Sequence, residues 1–147
     1  MTVVRPWPLV KEGLHLHPVE TVQYLLRQRG HEVAVDGVFG PQTEAAVRAF
    51  QDRRALTVDG LVGPQTWPAL IVVVRRGSTG DAVRAVQGEF QFRDVATNLT
   101  SGVVVDGIFG PATEGTVRGF QCGVGITVDG IVGPVTWRAL VSGMLTF

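Results

Sequence analysis

The residues able to do chemistry in this chain are few, and they recur in pairs. Arg48 and Gln51 fall in the run Arg48-Ala49-Phe50-Gln51, and Arg118 and Gln121 fall in Arg118-Gly119-Phe120-Gln121. Asp59 and Asp129 follow at matching distances, and Trp67 and Trp137 follow those. An arginine can hold a carboxylate through two parallel hydrogen bonds. Glutamine and aspartate can bond hydroxyls and amides. An indole ring offers an apolar face with a polar edge, suited to the C–H face of a pyranose. Each of the eight also has a plain structural reading. The tryptophans suit a small core, the aspartates can satisfy the N–H groups of their own turns, and the Arg-Gln pairs can line a solvated helix face.

Bond-breaking chemistry is poorly supplied. A glycosidase needs two carboxyls flanking a cleft, one of them held protonated. Asp36 and Glu44 are close in sequence, but they occupy an ordinary turn and an ordinary helix start. The histidines His15, His17 and His31 all lie in the first third of the chain. His15-Leu16-His17 is the one candidate metal pair, and no cysteine or third spaced histidine supports it. The chain therefore reads as no enzyme, with no cofactor and no metal.

These residues sit inside a duplication. Val35–Leu70 and Val105–Leu140 align without gaps over 36 positions, of which 23 are identical. The motif Val-Asp-Gly-x-x-Gly-Pro-x-Thr begins at Val35, Val58, Val105 and Val128, so each copy also repeats within itself. A unit of about 65–70 residues without a catalytic constellation indicates a tandem binding protein. Thirteen basic residues balance thirteen acidic ones, which leaves no electrostatic footprint for nucleic acid or an anionic membrane. The single Cys122 excludes an intramolecular disulfide. No apolar stretch reaches the roughly 20 residues of a membrane span. The opening Met1–Gly13, broken by Arg5, Pro6 and Pro8, does not read as a signal peptide.

The elements that position the candidates follow from spacing. Val19, Val22, Gln23 and Leu26 match Val83, Val86, Gln87 and Phe90, and their spacing predicts a first helix over Val19–Arg27 and Val83–Gln91. Pro18 suits the first turn of one, and Asp81 suits the N-cap of the other. The Asp-Gly pairs predict tight turns. Pro41 and Pro111 open the main helix, with Ala46, Val47 and Phe50 on one face and Arg48 and Gln51 beside it, able to reach solvent. Pro64 and Pro134 open a shorter helix, which Pro68 shortens in the first copy. Six extra residues fall in the second copy within Arg93–Gly102, read as a loop. Two all-α units result, 1–72 and 73–147, each of three helices and two Asp-Gly turns. They are joined by the apolar Ile71-Val72-Val73, which has none of the flexibility of a Gly/Ser linker.

The ordered pattern of a helix with V-x-x-(V/L)-Q, then D-G-x-F-G-P-x-T, A-F-Q and V-D-G-x-x-G-P-x-T-W-x-x-L, resembles the peptidoglycan-binding domain type 1 family. The resemblance runs from Val10 to Leu70 and from Val74 to Leu140. It implies compact three-helix modules that recognise bacterial cell wall. Such modules accompany wall hydrolases, and the expected partners are peptidoglycan, as glycan strand or stem peptide, and a hydrolase that the chain would bring to substrate. The implied location is the cell wall or extracellular space, by an export route that this chain does not show. Two weak sites on a polymer would act through avidity. The alternative is a protein-interaction adaptor of an envelope or phage-like assembly. The family is also related to metalloprotease pro-segments bearing a cysteine switch. Cys122-Gly123-Val124 lacks the flanking residues of that switch, and Cys122 aligns with Asp52.

Overall fold

The computed structural model of the chain describes residues 3–98 and 100–145. Six helices follow in order: α1 (Val19–Gln28), α2 (Pro41–Arg53), α3 (Trp67–Leu70), α4 (Asp81–Thr97), α5 (Pro111–Val124) and α6 (Pro134–Val141). Among the described residues there is no extended strand. Isolated antiparallel pairings join Val10 to Val62 and His15 to Val38, and Val74 to Val132 and Thr79 to Ile108. The architecture is all-α, two tandem three-helix units, as the repeat predicts.

Glycine and proline set the helix starts. Gly40, Gly110 and Gly133 are extended, and the proline after each opens α2, α5 and α6 at a position where a missing N–H costs no hydrogen bond. The helix predicted at Pro64 differs: α3 begins only at Trp67. Pro68 has no N–H to donate to the carbonyl of Pro64, so residues 64–66 remain a turn. Arg138 stands at the matching place in α6, which runs its full eight residues.

The first helices carry two further corrections. Pro18 lies just ahead of α1 rather than within its first turn, and Gly80, not Asp81, flanks the start of α4. The Asp81 carboxylate is drawn instead to Arg84 at 3.0 Å and Arg27 at 3.5 Å. The six extra residues are not all loop. From Phe92, which matches Gln28, α4 continues through Thr97 and is closed by Asn98 in the left-handed region at φ 56°.

A single apolar core runs through both copies. Val22, Leu26, Phe39, Phe50 and Trp67 fill the first, and Val86, Phe90, Phe109, Phe120 and Trp137 the second. Full burial of side chains this size contributes about 1.5–3 kcal/mol each before entropy is counted. Both indole rings are fully buried, and their N–H groups donate to backbone carbonyls, Trp67 to Pro8 and Trp137 to Val72, each at 2.8 Å.

That pair of bonds explains the join. Val72 stands to the second copy as Pro8 stands to the first, its carbonyl accepting from the buried tryptophan. Meanwhile Arg29 reaches back from α1 and donates to the carbonyls of Ala69, Leu70 and Ile71 at 2.9, 3.2 and 2.6 Å. Ile71 is therefore tied to the first copy and Val72 to the second, with no slack between them.

The copies also pack directly, α1 antiparallel to α4. Gln28 accepts from the N–H of Ala82 at 3.0 Å at one end, and Thr21 and His17 meet Glu89 at the other. Glu89 is buried; His17 Nε2 lies 2.7 Å from its carboxylate, and Arg93 donates to it at 2.8 Å. Burial pushes the Glu89 carboxyl up, but His17, Arg93 and Thr21 together outweigh burial and hold it below its usual value. The His17 ring stacks on Phe92 with centroids 4.0 Å apart.

Candidate functional site

The Val-Asp-Gly-x-x-Gly-Pro-x-Thr repeat is organised by a residue outside it. A buried glutamine, one turn or more back on the preceding helix, reaches into each Asp-Gly turn. Gln51 Oε1 accepts from the N–H groups of Asp59 and Gly60 at 3.2 and 3.0 Å. Its Nε2 donates to the Asp59 carboxylate, the Leu61 carbonyl and the Thr66 hydroxyl at 2.9, 2.9 and 3.0 Å. Gln121 repeats all five contacts with Asp129, Gly130, Ile131 and Thr136 at 2.9–3.1 Å. Gln23 does the same at Asp36, and Gln87 at Asp106.

The turn needs each of its own residues. The glycines Gly37, Gly60, Gly107 and Gly130 all sit at φ 74–75°, where a side chain would be strained. Each aspartate also accepts from the N–H two residues on, at 2.9 Å for both Leu61 and Ile131. The backbone bond, with the glutamine amide, holds all four carboxyls below their usual value against desolvation, which at Asp59 and Asp129 outranks the glutamine's own contribution.

This geometry places the sequence candidates at two depths. Gln51, Gln121, Trp67 and Trp137 are at 0% exposure. The glutamines do not reach solvent, contrary to the helical-face reading, because a turn with two inward N–H groups needs a buried acceptor. The tryptophans fill the core. Arg48, Asp59, Arg118 and Asp129 are exposed. Each arginine lies across the glycine of its turn: a Cβ placed on Gly60 would stand 3.2 Å from Arg48 Nε, and one on Gly130 would stand 3.1 Å from Arg118 Nε. The structure thus brings Arg48 to Asp59 and Arg118 to Asp129 at the surface, with the Gln and Trp of each set beneath them. A shallow depression of about 280 Å³ opens beside Asp129, lined by Ile126, Thr127, Ile131, Pro134 and Val135.

The surroundings of the two arginines differ. Arg48 is held by Glu44 at 3.3 Å and by the carbonyls of Val58 and Asp59 at 3.4 Å. In the second copy Glu114 turns to Arg76 at 3.3 Å, and no hydrogen bond among the described residues engages Arg118. Glu12 stands where the second copy has Arg76. A hydrogen bond with Glu44, and repulsion by it, raise the Glu12 carboxyl above its usual value. One surface is therefore rich in carboxylates and the other carries two arginines.

Neither first helix is open to solvent on the side away from its own copy. Thr21 and Leu25 of α1 and Ala82, Ala85 and Glu89 of α4 are buried as well as the predicted face. Sequence reasoning read one buried face per first helix where there are two. It also missed the glutamine hubs, although a glutamine on the apolar face of every helix preceding a Val-Asp-Gly was the available signal. His15 is exposed and His31 stands edge-on to Phe50, 6.1 Å between centroids. Among the described residues no three His, Cys, Asp or Glu side chains gather to hold a metal ion. No helix among them is long and apolar enough to cross a membrane.

The paired three-helix units with an aspartate turn at each helix junction within them define a repeat-built helical module. Residues 17–70 and 79–140 both match the family described as "Putative peptidoglycan binding domain", and the chain belongs to that family. Among solved structures it is similar to a peptidoglycan-binding protein from Clostridioides difficile in complex with glutamine hydroxamate. The two share 35% identity over 43% of this chain and 40% of that one, at a TM-score of 0.42. The SleB N-terminal domain is 38% identical over 43% of this chain and 88% of its own length, with a TM-score of 0.42. A Burkholderia AP3 phage endolysin is 23% identical over 76% of this chain and 38% of its own, with a TM-score of 0.43. No curated protein matches the chain.

Proposed function

We propose that this chain is a non-catalytic peptidoglycan-binding protein, dividing at Val72 into units 1–72 and 73–147, with one weak surface site on each. The observation that carries this reading is the family match of both copies, each with an exposed arginine across a rigid Asp-Gly turn. Arg48 with Asp59, and Arg118 with Asp129, make the contacts. Gln51, Trp67, Gln121 and Trp137 act from beneath by fixing the turn and the helix that carry them. An arginine there pairs with a carboxylate of the stem peptide, while the aspartate accepts from its amides or from glycan hydroxyls.

The second site is the stronger, because Arg118 is free of the carboxylate that holds Arg48. Two linked sites on one polymer gain roughly 10²–10⁴ in avidity where their spacing matches the polymer. The tied join makes that spacing fixed. A cell-wall or extracellular location follows, and a wall hydrolase brought to its substrate is the natural partner.

The test is sedimentation with purified, protein-free sacculi. The chain pellets, and Arg48→Ala with Arg118→Ala together releases it while the circular dichroism spectrum stays unchanged. Retention of the folded double variant at wild-type strength would remove the arginines from the site.

A second reading is a protein-interaction adaptor. What favours it is the inequality of the copies: Val95, 86% exposed, and Val104, 67% exposed, stand at the edges of the second copy's extra segment. A chain that ignores sacculi but is retained on an envelope protein would establish it.

A further inference from the structure

The seam between the copies is built from matching residues. Aligned position by position, His17 just ahead of α1 matches Asp81 at the start of α4, Thr21 matches Ala85, Leu25 matches Glu89 and Gln28 matches Phe92. The His17 ring stacks on Phe92, with centroids 4.0 Å apart. The exchanged pair, Asp81 and Gln28, meets at the other end of the helices. Gln28 Oε1 accepts from the N–H of Ala82 at 3.0 Å, and a Cβ placed on Gly80 would stand 3.1 Å from the same oxygen. Between the ends Thr21 donates to Glu89, and the exchanged pair, Leu25 and Ala85, has no exposed surface.

An interface in which each contact recurs with its partners exchanged has a two-fold axis through its middle. The copies are therefore related by a half-turn about an axis through the α1–α4 seam, not by the translation that stacks the units of a solenoid. The join keeps that relation. Arg29 holds the carbonyls of Ala69, Leu70 and Ile71, and Trp137 holds that of Val72. Arg48 and Arg118 lie on α2 and α5, against the matching turn glycines Gly60 and Gly130. The half-turn thus carries one arginine surface onto the other.

A half-turn restricts what two equivalent surfaces can read. It keeps the direction of a straight line only when that line is the axis itself, and it reverses every other line that it maps onto itself. The axis passes between α1 and α4, whereas each arginine stands away from it on the surface of its own copy. A strand running straight from Arg48 to Arg118 would therefore meet the second surface backwards. Glycan strands and stem peptides both have a direction, so one straight strand does not make two equivalent contacts.

We propose that the chain is a cross-bridge: each arginine surface takes a separate strand, and the protein joins two strands rather than lying along one. This rests on the wall-contact reading of Arg48 and Arg118. The gain from linking the sites then comes from neighbouring strands of one wall network, whose separation must match the fixed distance between the surfaces. Glu44 holds Arg48 whereas Glu114 turns to Arg76, so the second copy grips its strand the more firmly.

The test uses soluble peptidoglycan strands freed of their cross-links, one batch carrying a donor dye and another an acceptor. The full chain is added in steps, and joining is read as energy transfer between the mixed batches. Occupancy is read separately, from the anisotropy of chain labelled on its one thiol, the exposed Cys122. Transfer should rise with added protein, pass through a maximum, and fall once excess chain covers every strand singly. Arg48→Ala keeps the firmer grip and loses the other, so at equal occupancy its transfer should fall about tenfold. Occupancy without transfer would overturn the cross-bridge and leave wall binding intact. Transfer that survives Arg48→Ala at equal occupancy would assign the joining to self-association of the chain, and overturns the proposal too. No occupancy at all would overturn the wall-contact reading itself, and the cross-bridge with it.

Discussion

The two copies agree where backbone must be satisfied out of water and differ where a side chain meets solvent or the other copy. Gln51 and Gln121 hold their turns through the same five contacts, each within 3.2 Å. Trp67 and Trp137 donate to matching carbonyls, and Arg29 and Arg93 cap the helix end of their own copy. Against that constancy, Leu25 of α1 becomes Glu89 in α4, and Glu12 beside Glu44 becomes Arg76 beside Glu114. An unpaired buried N–H costs about 1–3 kcal/mol, whereas an exposed charge change costs little. Duplication therefore preserves the hub and leaves the surface and the seam free to diverge.

The largest effect should come from the seam. Glu89→Leu restores the residue that the first copy has at this place, yet it strands Arg93, Thr21 and His17. Breaking one partner of a buried ion pair costs about 3–5 kcal/mol. Chemical denaturation should show a loss of that size, and a loss under about 1 kcal/mol would mean that α1 and α4 hold together by apolar packing alone.

Next come the hubs. Gln51→Leu and Gln121→Leu should each cost about 3 kcal/mol, since each leaves two buried N–H groups without an acceptor. Equal losses sharpen the comparison. A clear inequality breaks it, because it would show that the same bonds are worth different amounts in the two copies.

Acid should act on both copies alike. The turn aspartates have lowered native values, so their contribution is complete above the unfolded aspartate value of about 3.9 and is lost as pH falls through the native values. Glu89, also lowered, acts in the same direction. In an acid titration followed by circular dichroism, Asp59→Asn and Asp129→Asn should flatten the dependence by similar amounts.

The smallest effect separates the copies. The Glu12 carboxyl is raised by Glu44, so the repulsion is fully present above its native value and absent below the unfolded one. Glu12→Gln should raise the thermal midpoint slightly at neutral pH and not at all in acid. A gain that persists in acid would assign the effect to something other than the carboxylate pair.

Much of this was legible from the sequence because glycine, proline and Asp-Gly pairs act locally. They mark α2, α5, α6 and all four turns, and Pro68 shortens α3 through its own missing N–H. The hubs were less legible. Gln23, Gln51, Gln87 and Gln121 sit 8 to 19 residues ahead of their aspartates, so no local spacing links them to the turns. A polar residue on an apolar face reads as a solvated edge until its partners are seen. The second buried face of α1 and α4 was hidden for a related reason. Alanine, threonine and a glutamate carry no apolar periodicity, and only the partner copy makes them interior. The surface arginines were found by type and repetition, while the contrast between a held Arg48 and a free Arg118 depends on where Glu44 and Glu114 turn.

The most direct measurement is binding to purified sacculi by the full chain beside Arg48→Ala and Arg118→Ala made singly. The chain should sediment with the sacculi, and Arg118→Ala should weaken binding several-fold more than Arg48→Ala. A folded chain that stays in the supernatant, or an Arg118→Ala protein that binds as well as the wild type, would contradict wall recognition through the second copy's open arginine.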